Sequence, residues 1–98
     1  MITAVLLLSA ALSSPIVPEG STLEKLFDSG VFTEGPAAAP DGTIYFSDIT
    51  GSARSREAGH IMLFDPKTRA VRLFRSPSGM SNGLAFDLQG RLVAAGGG

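Results

Sequence analysis

The sequence predicts an all-β fold: the N-terminal one and a half blades of a β-propeller, made of antiparallel up-and-down strands. Three observations carry this expectation. The block that begins at Glu34 returns forty-eight positions later at Asn82 without a gap, so that Gly35 falls on Gly83, Ala37 on Ala85, Gly42 on Gly90, and Ile44 and Tyr45 on Leu92 and Val93. A repeat of that length, built of short strands and tight turns, marks blades stacked about an axis. Short apolar segments alternate with clusters of Gly, Pro and Asp, which is the pattern of strands and hairpin turns. The inner segments are also apolar on both sides of the pleat, with Ile44 and Phe46 opposing Tyr45, and Ile61 and Leu63 opposing Met62 and Phe64. A sheet with one wet face alternates more cleanly, whereas a blade sandwiched between neighbours needs two buried faces.

Along the chain, residues 1–20 form a leader and 21–98 the incomplete propeller domain. The run Ala4 to Leu12 is too short to span a membrane but suits the core of a signal peptide. Ala11 and Ser13 supply the small residues of a cleavage site, and Pro15 and Pro18 then open an extended mature terminus; no Lys or Arg precedes the core. Export to the periplasm or outside the cell is the expectation, and a buried strand or a wrongly assigned start competes with it. Leu23 to Phe27 has no strong period and reads as a short strand or a turn of helix. The strands follow at 36–39, 43–48, 60–64 and 70–75. Pro40-Asp41-Gly42 turns the first into the second, and residues 51–59, polar and bounded by glycine, form a loop before the third. Asp65 to Arg69 closes the second hairpin, with Asp65 ordering its Asp-Pro turn. Asp48, at a strand end, is placed to cap the turn that follows it. Strands at 83–87 and 91–95, joined at Gln89-Gly90, begin a second blade.

Composition excludes several classes of function. A formal charge of −1, with 17% charged residues and no basic block, gives no footprint for nucleic acid or anionic lipid. With no cysteine there is neither a disulfide framework nor a thiolate site, so a metal must be held by oxygen or by the single histidine. His60 starts a middle strand, away from the predicted channel, and a general base must reach its proton. No Gly-x-Ser-x-Gly elbow supports a serine hydrolase. The repeat does place two oxygen donors, Glu34 and Asn82, at equivalent positions before the innermost strands of successive blades. A carboxylate and an amide carbonyl are hard donors, suited to Ca²⁺ or Mg²⁺. Taken singly, the first reads as a solvated loop acid and the second as the turn former of an Asn-Gly pair.

The segments Phe32-Thr33-Glu34-Gly35-Pro36, Ile44-Tyr45-Phe46-Ser47-Asp48, Leu63-Phe64-Asp65-Pro66 and Ser81-Asn82-Gly83-Leu84-Ala85-Phe86-Asp87 occur in that order. Together they resemble the N-terminal part of the SMP-30/gluconolactonase/regucalcin-like six-bladed propellers, over roughly Phe27 to Ala95. The resemblance implies a metal-dependent lactone hydrolase. It makes Glu34 a metal ligand and Asn82 a ligand of the metal or the substrate, with Ca²⁺ the first expectation and Mg²⁺ or Zn²⁺ the alternatives. A small lactone would be the substrate of the full-length form. A departure lies at Arg69, where the family commonly has glycine; a left-handed backbone there costs a non-glycine residue roughly 1 kcal/mol.

A six-bladed ring needs roughly three times the 98 residues present, and the resemblance puts the remaining ligands and the proposed general base in later blades. The chain is therefore expected to be a fragment, inactive alone and prone to pair through open strand edges. Two other readings stay open. One is a non-enzymatic propeller serving as a binding module, because fold does not determine function; the other is a truncated product without function.

Overall fold

The computed structural model describes residues 15–50 and 58–96. The leader reading over residues 1–14 and most of the loop reading over 51–59 lie outside them. The described residues form six antiparallel strands in two sheets: β1 (Thr33–Ala38), β2 (Ile44–Asp48), β3 (His60–Phe64) and β4 (Val71–Arg75) in one, β5 (Leu84–Phe86) and β6 (Leu92–Ala94) in the other. Neighbours in sequence are neighbours in space, as short connections dictate. Among the described residues no helix is long and apolar enough to cross a membrane.

The forty-eight-residue repeat holds at the level of single hydrogen bonds. Ala39 N donates to Thr43 O at 2.8 Å and Gly42 N to Ala39 O at 2.9 Å; forty-eight residues on, Asp87 N donates to Arg91 O at 3.0 Å and Gly90 N to Asp87 O at 3.1 Å. Gly42 and Gly90 both take left-handed φ values, 90° and 78°, which is the conformation that a glycine accepts without a Cβ penalty. Likewise Glu34 pairs with Ser47 across β1 and β2, while Asn82 N donates to Ala95 O at 2.9 Å beside β5 and β6.

β1 begins at Thr33, three residues earlier than expected, so Glu34 lies within the strand rather than before it. The cause is a bulge. Glu34 pairs with Ser47 and Ala37 with Tyr45, which leaves one extra residue on β1, and Gly35 at φ 63° absorbs it. The segment 21–30 adopts neither strand nor helix. It crosses the larger sheet as an irregular strap, with Phe27 packed on Phe46 at 5.4 Å between ring centroids.

The pleat sorts the larger sheet into two faces. Tyr45 and Leu63 pair directly, as do Ser47 and Ile61, and these point towards the smaller sheet; Ile44 with Phe64 and Phe46 with Met62 point the other way. Ile61 and Phe64 are the buried apolar side chains. Tyr45 is the hinge of the packing, since its ring meets Phe74 of β4 at 4.9 Å and Phe86 of β5 at 5.5 Å, both edge-on. Each such pair contributes about 0.5–1.5 kcal/mol beyond its area.

The turn at Asp65 forms as expected. Its carboxylate accepts from Lys67 N at 2.9 Å, and Arg69 N donates to Asp65 O at 2.7 Å. Arg69 sits at φ 61°, the left-handed conformation that would favour glycine. Its guanidinium also donates to Glu24, tying the strap to this turn.

Candidate functional site

The two sheets meet along a seam where β1 and β2 touch the segment that opens β5, and the seam is closest at Gly35. A Cβ placed there would lie 2.4 Å from Asn82 O and 3.1 Å from the Gly83 Cα, so no side chain fits. Across the same seam the hydroxyl of Ser47, fully buried on β2, donates to Asn82 O at 2.8 Å. Ser81, also fully buried, places its hydroxyl 3.5 Å from that of Ser47. Asn82 is thus held by its main chain against the larger sheet.

This arrangement brings the side chains of Glu34 and Asn82 together, forty-eight residues apart in the sequence. The Asn82 side-chain NH₂ donates to both carboxylate oxygens of Glu34. Two acceptor oxygens in contact repel unless a cation or a proton lies between them. The two residues form a hydrogen-bonded amide–carboxylate cradle whose oxygen-bearing groups are a carboxylate and an amide carbonyl. Glu34 is half-buried and Asn82 exposed, so the cradle opens to solvent. Among the described residues no group of three or more His, Cys, Asp or Glu side chains could hold a metal, so any further ligands to a cation here would be water or carbonyl oxygen.

Glu34 also borders a pocket of about 450 Å³ under the strap. Pro36, Ile44, Phe46 and Phe64 line it from the sheet, and Leu26 and Phe27 from the strap, with Glu24 and Lys25 at the rim. The floor is apolar, and Glu34 is among the residues that line it.

Other candidate residues lie elsewhere. His60 Nδ1 is 2.7 Å from Ser76 Oγ, on β3, two strands away from Glu34 on β1. Asp48 also serves the other end of the strand pair, while the turn after β2 that it was expected to cap runs into residues 51–57, outside those described. Its Oδ1 accepts from Val31 N at 3.0 Å and Phe32 N at 3.1 Å, so it anchors the segment before β1. The antiparallel pairing of Thr33 with Asp48 explains this, because the end of β2 lies beside the start of β1. The buried hydroxyls of Ser47 and Ser81 were not legible in the sequence, where serine in a strand or turn signals nothing about burial. Nothing matches this chain among protein-family models, curated proteins or solved structures.

Proposed function

We propose that this chain is the opening part of a propeller-type, metal-dependent lactone hydrolase, and that Glu34 and Asn82 are its oxygen ligands for a divalent cation, Ca²⁺ first and Mg²⁺ or Zn²⁺ after it. The observation that supports this reading is the contact between the two side chains, since a repeat with no shared task has no reason to bring its carboxylate and its amide to one point. Calcium takes six to eight oxygens and accepts water among them, which suits an open two-residue cradle. When bound, such a cation would polarise a lactone carbonyl. The chain's own residues do the holding: Glu34 contributes charge, Asn82 contributes an oxygen after its amide turns over, and the Ser47 hydroxyl keeps the Asn82 backbone in place.

Hydrolysis needs a base placed beside the bound water as well, and the acidic side chains Asp48 and Asp65 are both engaged in turns. We expect the 98-residue chain to bind a cation weakly and to hydrolyse gluconolactone no faster than buffer. The decisive measurement is a Ca²⁺ titration followed by the side-chain NH₂ resonances of Asn82 and by calorimetry. Those resonances should move with Ca²⁺ in the parent chain and in His60→Ala, and stay still in Glu34→Gln, which keeps the shape and removes the charge. Equal binding in Glu34→Gln would remove Glu34 from the site, and a large loss in His60→Ala would place the site elsewhere.

A further inference from the structure

We infer that the pocket under the strap is a binding site for a small amphiphilic anion, a carboxylate on a hydrocarbon tail such as a medium-chain fatty acid. The tail would lie on the sheet, and the carboxylate would sit at Lys25. Every residue that lines the pocket falls within residues 24–64, so its walls are built by the strap and the first three strands. On the sheet side Ile44 and Phe46 share one face of β2, and Phe64 stands beside Ile44 across the ladder. Pro36 of β1 extends this floor, and Leu26 and Phe27 close it from the strap, with Phe27 packed on Phe46. A volume of about 450 Å³ is in the range of small-molecule sites, and an apolar lining with few polar groups is their usual make-up.

The charged residues of the lining decide what the occupant must carry. Glu24 is taken by the guanidinium of Arg69, and Glu34 receives the Asn82 amide. Lys25 has no ion-pair partner among the described residues, so its ammonium, on a flexible four-carbon stem, is the uncommitted charge at the rim. Binding free energy would come chiefly from the tail, because removing methylenes from water contributes far more than an exposed ion pair does. The charge sets the sign of the head group instead: a carboxylate meets Lys25 with opposite charge, an ammonium with like charge. A polyhydroxylated ligand suits this site poorly, since its hydroxyls would exchange water for an apolar floor. The inference needs no cation at Glu34 and Asn82.

The test titrates the 98-residue chain with decanoate, below the concentration at which it forms micelles, and follows the side-chain resonances of Ile44, Phe46 and Phe64. Saturable shifts are expected at all three, and gluconate should produce none. Decylammonium should bind about threefold more weakly than decanoate, the size of one exposed ion-pair interaction. Lys25→Glu changes an exposed side chain, leaves the floor intact and should reverse that order. Leu26→Ser takes apolar surface from the strap wall without touching the ladder, and should weaken both ligands about fivefold. A parent chain that shows no saturable shift at the three residues overturns the proposal. So do equal affinities for the two head groups that stay equal in Lys25→Glu, which would leave an apolar pocket with no preference for an anion.

Discussion

At Gly35 the backbone does what no other residue could do, because both its φ of 63° and its distance from Asn82 O forbid a Cβ. Gly35→Ala should destabilise the fold by about 2–4 kcal/mol, combining left-handed strain with a clash against main chain that cannot step aside. It should also separate Glu34 from Asn82. Urea unfolding measures the first effect and the Asn82 side-chain resonances the second. Arg69 is the opposite case, a residue that tolerates a left-handed φ of 61° at a cost. Arg69→Gly should stabilise the chain by up to about 1 kcal/mol, reduced by whatever the exposed pair with Glu24 contributes, which for surface pairs is small. A lower urea midpoint in Arg69→Gly would show that the tie to the strap outweighs the backbone strain.

At the level of elements, the hairpin turns carry the acid sensitivity that can be named. The Thr43 backbone N–H, followed by the Thr43 hydroxyl, holds the Asp41 carboxyl below its ordinary value of 3.8. The Arg91 backbone N–H, followed by the Arg91 side chain, does the same for Asp87. A depressed carboxyl stabilises the folded state above the unfolded value and loses that contribution as the pH falls through the folded one. Both turns should therefore loosen below pH 3.8, and thermal midpoints between pH 5 and 2 should fall less steeply in Asp87→Asn. The strands themselves were largely legible, since β-branched and aromatic residues between Pro-Asp-Gly and Asp-Pro turns leave few alternatives for 44–48 and 60–64. The start of β1 was not, because Pro36 hides strand pairing and a bulge at Gly35 leaves no apolar alternation to read. The partnership of Glu34 and Asn82 was visible as a repeat, but the hydrogen bonds from the Asn82 amide to the carboxylate are a property of the contact. The hold of Asp48 on Val31 and Phe32 was hidden for a related reason: they are near it only across the sheet.

For the molecule as a whole, the two-faced apolar pattern and the small set of fully buried side chains belong to the same design. Ile61 and Phe64 are the apolar residues that reach burial, while Leu73, Phe74 and Val93 are at least half exposed. A single chain of this kind leaves apolar surface that a stacked neighbour would cover.

The strap has a consequence for access to the molecule. Among the described residues its side-chain fastenings are Glu24 to Arg69, Phe27 on Phe46, and one oxygen of Asp48 receiving the N–H groups of Val31 and Phe32. None of them belongs to the ladder of the sheet, so the pocket has a wall that can be unbuttoned while the four-stranded sheet behind it stays paired. Asp48→Ala removes the fastening nearest the sheet. Trypsin should then cut after Lys25 at least several times faster than in the parent chain, while the far-ultraviolet signature of the strands stays as it was. Unchanged cleavage would mean that the two side-chain fastenings suffice, and that the wall opens only when the sheet does.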